Sequence, residues 1–264
     1  MATASFPPLS AAFAKGKAFI PFVTCGDPDL ETTGRVVRAL VAAGADLVEL
    51  GIPFSDPTAE GPVIQAANAR ALAGGVTTDD IFAFAAELRR EVKVPLAFMT
   101  YANVVFAQGP GRFAARCAAA GVGGVILPDV PFEEKGEFDA ACRECGIDLV
   151  SMVAPTSEQR VAAIAREARG FLYVVSSLGV TGERTAITTD LDGILRTVRG
   201  VSDVPAAIGF GISTPEQAAA MAGLADGAIV GSAIVRLVAE HGREAAEPVA
   251  ALASRLAAAV HGAG

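Results

Sequence analysis

The chain predicts an α/β fold: a single (β/α)8 TIM barrel domain over residues 1–264, with an extra helix at its N-terminus. Three observations carry that expectation. Short apolar runs alternate with longer helical patterns eight times, the signature of a parallel sheet closed on itself. The 264 residues match the roughly 250 typical of that fold. No linker, charge block or low-complexity tract divides the chain. An open doubly wound sheet is the alternative, but the first strand–helix turn lacks the G-x-G-x-x-G of a dinucleotide site.

In order, the strand expectations are Ala18–Val23, Leu47–Leu50, Leu96–Thr100, Gly124–Leu127, Leu149–Val153, Phe171–Val175, Ala206–Ile208 and Ala228–Val230. Between them, Val36, Val37, Leu40 and Val41 repeat at helical spacing and are closed by Gly44, and Ile81, Phe82, Phe84, Ala85 and Leu88 do the same. Ser213-Thr214-Pro215-Glu216 and Thr156-Ser157-Glu158-Gln159 read as capping boxes, the first with a proline near the helix start.

Composition narrows the function. With 52% hydrophobic residues the core is ample, and a net charge of −8 leaves no basic footprint for nucleic acid or an anionic membrane. The N-terminal stretch has no continuous apolar segment of a signal peptide, and no run approaches the ~18 apolar residues of a membrane span, so the cytoplasm is expected. Of four cysteines, Cys142 and Cys145 have CxxC spacing. They fall late in a helical pattern, Glu133 to Cys145, with no second ligand pair, so they read as free thiols on a helix.

In such a barrel the chemistry sits at the C-terminal strand ends. The end of the second strand is the most telling. Glu49 interrupts the apolar run Ala45–Leu50, otherwise broken only by Asp46, and a Gly/Pro-rich loop follows with Ser55, Asp56 and Glu60. A carboxylate at the end of a buried strand is costly unless it has a task, and two acids in different settings are what acid/base chemistry needs. The other strand ends supply Thr24 and Asp27, then Thr100, Tyr101 and Asn103, then Asp129, Thr156, Tyr173 and Ser176. The four lysines lie elsewhere: Lys15 and Lys17 precede the first strand, Lys93 precedes the third, and Lys135 falls in a helical segment. The two histidines, His241 and His261, lie beyond the last strand. Schiff-base, Ser-His-Asp and His-based metal chemistry are therefore disfavoured, and no metal site is expected. Proton transfer by carboxylates remains. Finally, Gly209-Phe210-Gly211, Gly231-Ser232 and Gly179-Val180-Thr181-Gly182 place glycines after strands seven, eight and six. Singly these are tight turns; together, two of them opening helices, they read as a phosphate site.

These residues resemble the tryptophan synthase alpha subunit family almost end to end. The likeness runs through FIPFVTCGDPD (19–29), AGADLVELGIPFSDP (43–57), GPVIQAANARAL (61–72), MTYANVVF (99–106), LPDVPFEE (127–134), APTS (154–157), GVTG (179–182), GFGIST (209–214) and IVGSAIV (229–235). The resemblance implies a (β/α)8 lyase that cleaves indole-3-glycerol phosphate to indole and glyceraldehyde 3-phosphate without a cofactor in this chain. It implies Glu49 as general acid/base, with Tyr173 beside it. It implies Phe22, Ile64, Thr100, Leu127, Val153, Thr181 and Phe210 at the substrate, and Gly182, Gly211, Gly231 and Ser232 at the phosphate. It also implies a beta subunit carrying pyridoxal phosphate, an αββα complex, and an interface that includes Pro53, Asp56, Asn103 and Pro131.

The sequence departs from the family in one loop. The family's usual PLADGP stands here as Pro57-Thr58-Ala59-Glu60-Gly61-Pro62. Glu60 keeps the charge of an aspartate that faces the substrate's ring N–H, but reaches about 1.5 Å further, one C–C bond. A misplacement of about 1 Å can slow a reaction on the order of 10²-fold. The competing expectations are a stand-alone lyase, a weakly catalytic paralogue acting as an allosteric partner of a beta subunit, and another phosphate-binding barrel such as a sugar-phosphate isomerase.

Overall fold

The structure is a computed structural model that describes residues 6–176, 190–209 and 211–263. Strands β1 (Ala18–Thr24), β2 (Val48–Gly51), β3 (Leu96–Met99), β4 (Gly124–Ile126), β5 (Asp148–Val153), β6 (Leu172–Val175), β7 (Ala206–Gly209) and β8 (Gly227–Val230) pair in chain order into a closed barrel. Every pairing is parallel, and β8 closes on β1 through Ala18 opposite Gly227. Each strand lies within one residue of the apolar run that announced it.

The helices are α1 (Leu30–Ala42), α2 (Pro62–Ala73), α3 (Thr78–Glu91), α4 (Ala102–Gln108), α5 (Pro110–Ala119), α6 (Gly136–Glu144), α7 (Glu158–Glu167), α8 (Leu191–Arg199), α9 (Pro215–Leu224), α10 (Ser232–His241) and α11 (Ala246–His261). Gly44 takes φ +107 just past α1, a conformation glycine adopts at little cost.

The strands are buried on both faces, which is why they read as unbroken apolar runs rather than alternating ones. Alternation still decides direction. Ile20, Phe22, Leu47, Ala97, Met99, Ile126, Val150, Tyr173, Ala207 and Ile229 share the inner cluster. Their neighbours Phe19, Val48, Leu50, Phe98, Val125, Leu149, Leu172, Ile208 and Ala228 pack outward under the helices.

The extra N-terminal helix is present as a five-residue 3-10 helix, Leu9–Phe13, following Pro7 and Pro8. Leu9, Ala12 and Phe13 fill the N-terminal end of the barrel, with the Phe13 and Phe171 rings 5.9 Å apart. The cap of α9 is Thr214 paired with Gln217, not Ser213 with Glu216, because Pro215 takes the helix start and makes its predecessor the cap. The cap of α7 is Ser157, accepting from the Arg160 N–H, one residue later than Thr156.

All four cysteines are free thiols. Cys142 lies in α6 and Cys145 caps its end. Lys17 donates to the Ala225 carbonyl at 2.7 Å and Lys135 pairs with Glu167 at 3.0 Å. Among the described residues, no helix is long and apolar enough to cross a membrane.

The plug makes the start of β4 intolerant of a side chain. A Cβ on Gly124 would lie 2.4 Å from Leu9 Cδ1 and 2.9 Å from the Asp148 carbonyl oxygen, and the second of these is backbone that cannot rotate away. Gly124→Ala is expected to lower stability by about 1–3 kcal/mol through overpacking. Urea denaturation checks this; an unchanged midpoint would refute it.

Candidate active site

Glu49 sits on β2 with its side chain directed inward by the strand's two-residue alternation. Register places it level with Phe22 of β1 and Ala97 of β3. It has no exposure, and both carboxyl oxygens lack a hydrogen-bond partner among the described residues. Burial alone pushes its pKa up to about 8. A charged carboxylate there is so poorly solvated that the group keeps its proton at neutral pH. Tyr173, on β6, is equally enclosed, and its phenol is raised by burial and further by the charge of Glu49.

Two glycines make room for the rings. A Cβ on Gly51 would lie 2.6 Å from Phe22 Cζ, and one on Gly209 would lie 2.4 Å from Tyr173 Oη. Both rings therefore lie close against bare backbone at the strand ends.

Glu60 comes from the loop after β2. That loop is tied down at several points. The Glu60 N–H donates to the Pro57 carbonyl at 3.1 Å and the Ala59 N–H to Tyr101 Oη at 3.1 Å, while Phe54 stacks on Tyr101 at 5.1 Å. Gln65 Nε2 donates to the Glu60 carbonyl at 2.8 Å, and Asn68 Nδ2 donates to Glu60 Oε2 at 2.6 Å. Burial raises Glu60 to about 7, with the Asn68 hydrogen bond opposing that rise. Helix α2, which carries Gln65 and Asn68, is anchored in turn. Arg70 meets Asp27 in the loop after β1 through a two-pronged ion pair, at 2.8 and 2.7 Å. Asp27 is buried while Arg70 is partly exposed.

The two acids share one cleft of ≈ 440 Å³ with Phe22, Ile64, Met99, Tyr173, Gly211, Ile212, Ile229, Gly231 and Ser232. Its walls are apolar, and its rim carries the start of α10, where Gly231 is the cap and Ser232 the first residue. The first amides of a helix have no partner within it and favour an anion. Gly211, at φ +81, forms the adjoining turn.

The structure thus brings together Glu49, Glu60, Tyr173, Phe22, Ile64, Gly211, Gly231 and Ser232. It does not bring Thr100, Leu127 or Val153 to this cleft. Inward-facing Met99 takes the place expected of Thr100, whose buried hydroxyl has no partner among the described residues. Leu127 lines a separate cleft with Leu149, Met152 and Ile164, and Val153 belongs to the layer between strands and helices. Thr181, Gly182 and Phe210 lie outside the described residues. Of the surface expected at an interface, Asp56, Asn103 and Pro131 are exposed and Pro53 is buried. The sequence reading missed Met99, Ile212, Ile229 and Asn68. Counting by twos from Leu47 and Ala97 would have found Met99; Asn68 had no signal of its own.

A larger groove, ≈ 1790 Å³, lies at the opposite end of the barrel. Several of its polar groups are already engaged in structure. Asp46 accepts from the Phe19 N–H and contacts His261, and Asp226 accepts from the Ala206 N–H.

Comparison with known proteins points to one family. The family model described as tryptophan synthase alpha chain matches residues 10–261. The chain is 49% identical over 237 residues to the tryptophan synthase alpha chain of Lacticaseibacillus casei, covering 90% of this chain and 89% of that one. It is 48% identical over 258 residues to the alpha chain of Novosphingobium aromaticivorans, covering 97% of both. Among solved structures, it resembles Mycobacterium tuberculosis tryptophan synthase with a TM-score of 0.87 and 35% identity, covering 97% of this chain and 99% of that one. It also resembles the Pyrococcus furiosus tryptophan synthase a2b2 complex, with a TM-score of 0.83 and 35% identity, covering 91% of this chain and 98% of that one.

The buried acid has a thermodynamic consequence. The folded state holds the Glu49 proton up to about pH 8, whereas the unfolded chain releases it near 4.5. The contribution is therefore complete below about 4.5 and is lost as pH rises toward 8. Glu49→Gln, which cannot ionise, is expected to melt above the parent by several degrees at pH 8, with the gap closing toward pH 5. Differential scanning calorimetry across that range checks it; a gap independent of pH would contradict it.

Proposed function

The chain belongs to the tryptophan synthase alpha chain family, and we propose that Glu49 and Glu60 divide its chemistry between proton transfer and charge stabilisation. The established part is the reaction. The chain is a lyase of tryptophan biosynthesis that cleaves indole-3-glycerol phosphate to indole and glyceraldehyde 3-phosphate. The roles of individual residues are our reading, and the observation that carries it is the pair of raised carboxyls in one apolar cleft.

Glu49, protonated at neutral pH, delivers its proton to C3 of the indole ring. The ring becomes an indolenine with positive charge at its nitrogen. Glu49, now a carboxylate, takes the proton of the hydroxyl on the adjacent side-chain carbon. The C–C bond breaks, its electron pair returns to the ring, and the oxygen becomes the aldehyde of the phosphate product. One carboxyl thus serves as acid and then base, and the ring itself absorbs the electron pair, so this chain needs neither a lysine nor a cofactor. Glu60 accepts a hydrogen bond from the ring N–H, where positive charge develops. Tyr173 lines the cleft beside Glu49. Phe22, Ile64 and Met99 flank the ring. Gly211 and the α10 amides at Gly231 and Ser232 hold the phosphate; Thr181, Gly182 and Phe210 belong to the same substrate site by resemblance to the family.

We further read residues 1–264 as one catalytic domain working in the cytoplasm. Its partner is a beta subunit that carries pyridoxal phosphate and receives indole within an αββα complex. Asp56, Asn103 and Pro131 supply exposed parts of that docking surface. Phe106, half-exposed on α4 and in ring contact with Phe138, lies on the same segment as Asn103. Turnover measured with and without a beta partner separates this reading from a stand-alone lyase. Stimulation of the partner without any indole release would instead mark an allosteric paralogue.

Activity needs Glu49 protonated and Glu60 ionised. The expected kcat/KM profile is bell-shaped, falling below about pH 7 as Glu60 takes up a proton and above about pH 8 as Glu49 loses its own. Glu49→Gln is expected to lower indole release roughly 10²–10⁴-fold. Glu60→Gln is expected to remove the acid limb. Full activity in Glu60→Ala would show that this acid has no such role.

A further inference from the structure

We propose that Asn68 is a positioning residue for catalysis: it holds Glu60 by one oxygen so that helix α2, rather than the loop, sets where the other oxygen meets the substrate. On this view the Asn68 contact is what suits a glutamate to a place where the family carries aspartate. The inference rests on the reading of Glu60 as the acceptor of the ring N–H.

The geometry is a two-point hold. Gln65 fixes the main chain of Glu60 at its carbonyl, and Asn68 fixes the carboxyl at Oε2. Both donors stand on α2, whose Ile64 lines the same cleft. Asn68 is 3% exposed, so this hydrogen bond has little water to compete with, and its 2.6 Å length is that of a strong bond. The helix does not float. The Asp27–Arg70 ion pair joins it to the loop after β1, and Pro62 starts it. Asn68 lies six residues beyond Pro62, about 9 Å along the helix axis, so Glu60 must reach back along α2 to meet it.

That reach requires the longer side chain. An aspartate in the same backbone position falls short by about 1.5 Å, one C–C bond. A contact of 2.6 Å then opens to roughly 4 Å, beyond hydrogen-bond distance. The loop is poorly placed to follow, because the Ala59 N–H is held by Tyr101, on whose ring Phe54 of the same loop also stacks. Restoring the family's residue therefore breaks the hold instead of improving the site.

The test is a set of variants of the full chain, assayed by indole release from indole-3-glycerol phosphate. Asn68→Ala is expected to lower kcat about 10- to 100-fold with little change in KM, since a misplaced charge acts on the transition state. It should also move the acid limb of the pH profile upward, because a hydrogen bond that favours the ionised form is gone. Asn68→Asp keeps the shape without the donated N–H and is expected to reproduce both effects, which covers the case in which the alanine variant folds poorly. Glu60→Asp is expected to be slower than the parent, and adding Asn68→Ala to it should cost nothing more. Equal losses from Asn68→Ala in the parent and in the Glu60→Asp background would overturn the inference, as would a Glu60→Asp variant faster than the parent. Full activity in Glu60→Ala would instead overturn the underlying reading of Glu60, so the two failures are told apart.

Discussion

The site is organised around the removal of Glu49 from water. A carboxyl with no exposure and no hydrogen-bond partner among the described residues is stable only as the neutral acid. Keeping it so needs continuous apolar walls, and the inner cluster supplies them with Phe22, Met99, Ile126, Tyr173 and Ile229. The barrel's closure provides that enclosure from all sides at once, with strands covered on both faces. What burdens the fold is what makes the acid useful, because the proton is retained at the pH where it has to be given.

The second acid is governed differently. Glu60 lies on a loop, and loops alone fix charge poorly. Here the loop is pinned at Ala59 by Tyr101 and at Glu60 by its own following helix, while that helix is locked to β1's loop through Asp27 and Arg70. Position is thus transmitted through a chain of hydrogen bonds among segments that meet only in the folded barrel. The two carboxyls can differ in character while lining one cleft, since one has no donor among the described residues and the other is held by Asn68.

This difference also explains what could be read in advance. Apolar runs gave all eight strands, because buried parallel strands leave little ambiguity between core and surface. Glu49 stood out as an acid inside such a run, and Glu60 as a familiar loop with one residue changed. Thr100, implied at the substrate by resemblance, is buried one residue beyond inward-facing Met99, and only register shows which of the two lines the cleft. Asn68 was invisible, since its partner is eight residues away and its role exists only once α2 folds back beside the loop. Gly51 and Gly209 were equally silent. A missing side chain announces nothing until a ring is found lying against it.

Leu9, Ala12, Phe13 and Phe171 stopper the lower end of the barrel, so the cleft that holds the two acids belongs to the opposite end. Among the described residues, the cleft is bordered by the loop carrying Glu60 and by the turns at Gly211 and Gly231. Glu49 lies on β2 between the stopper and that border, while Glu60 and the turns belong to the border itself, so the stopper can be altered without touching either acid.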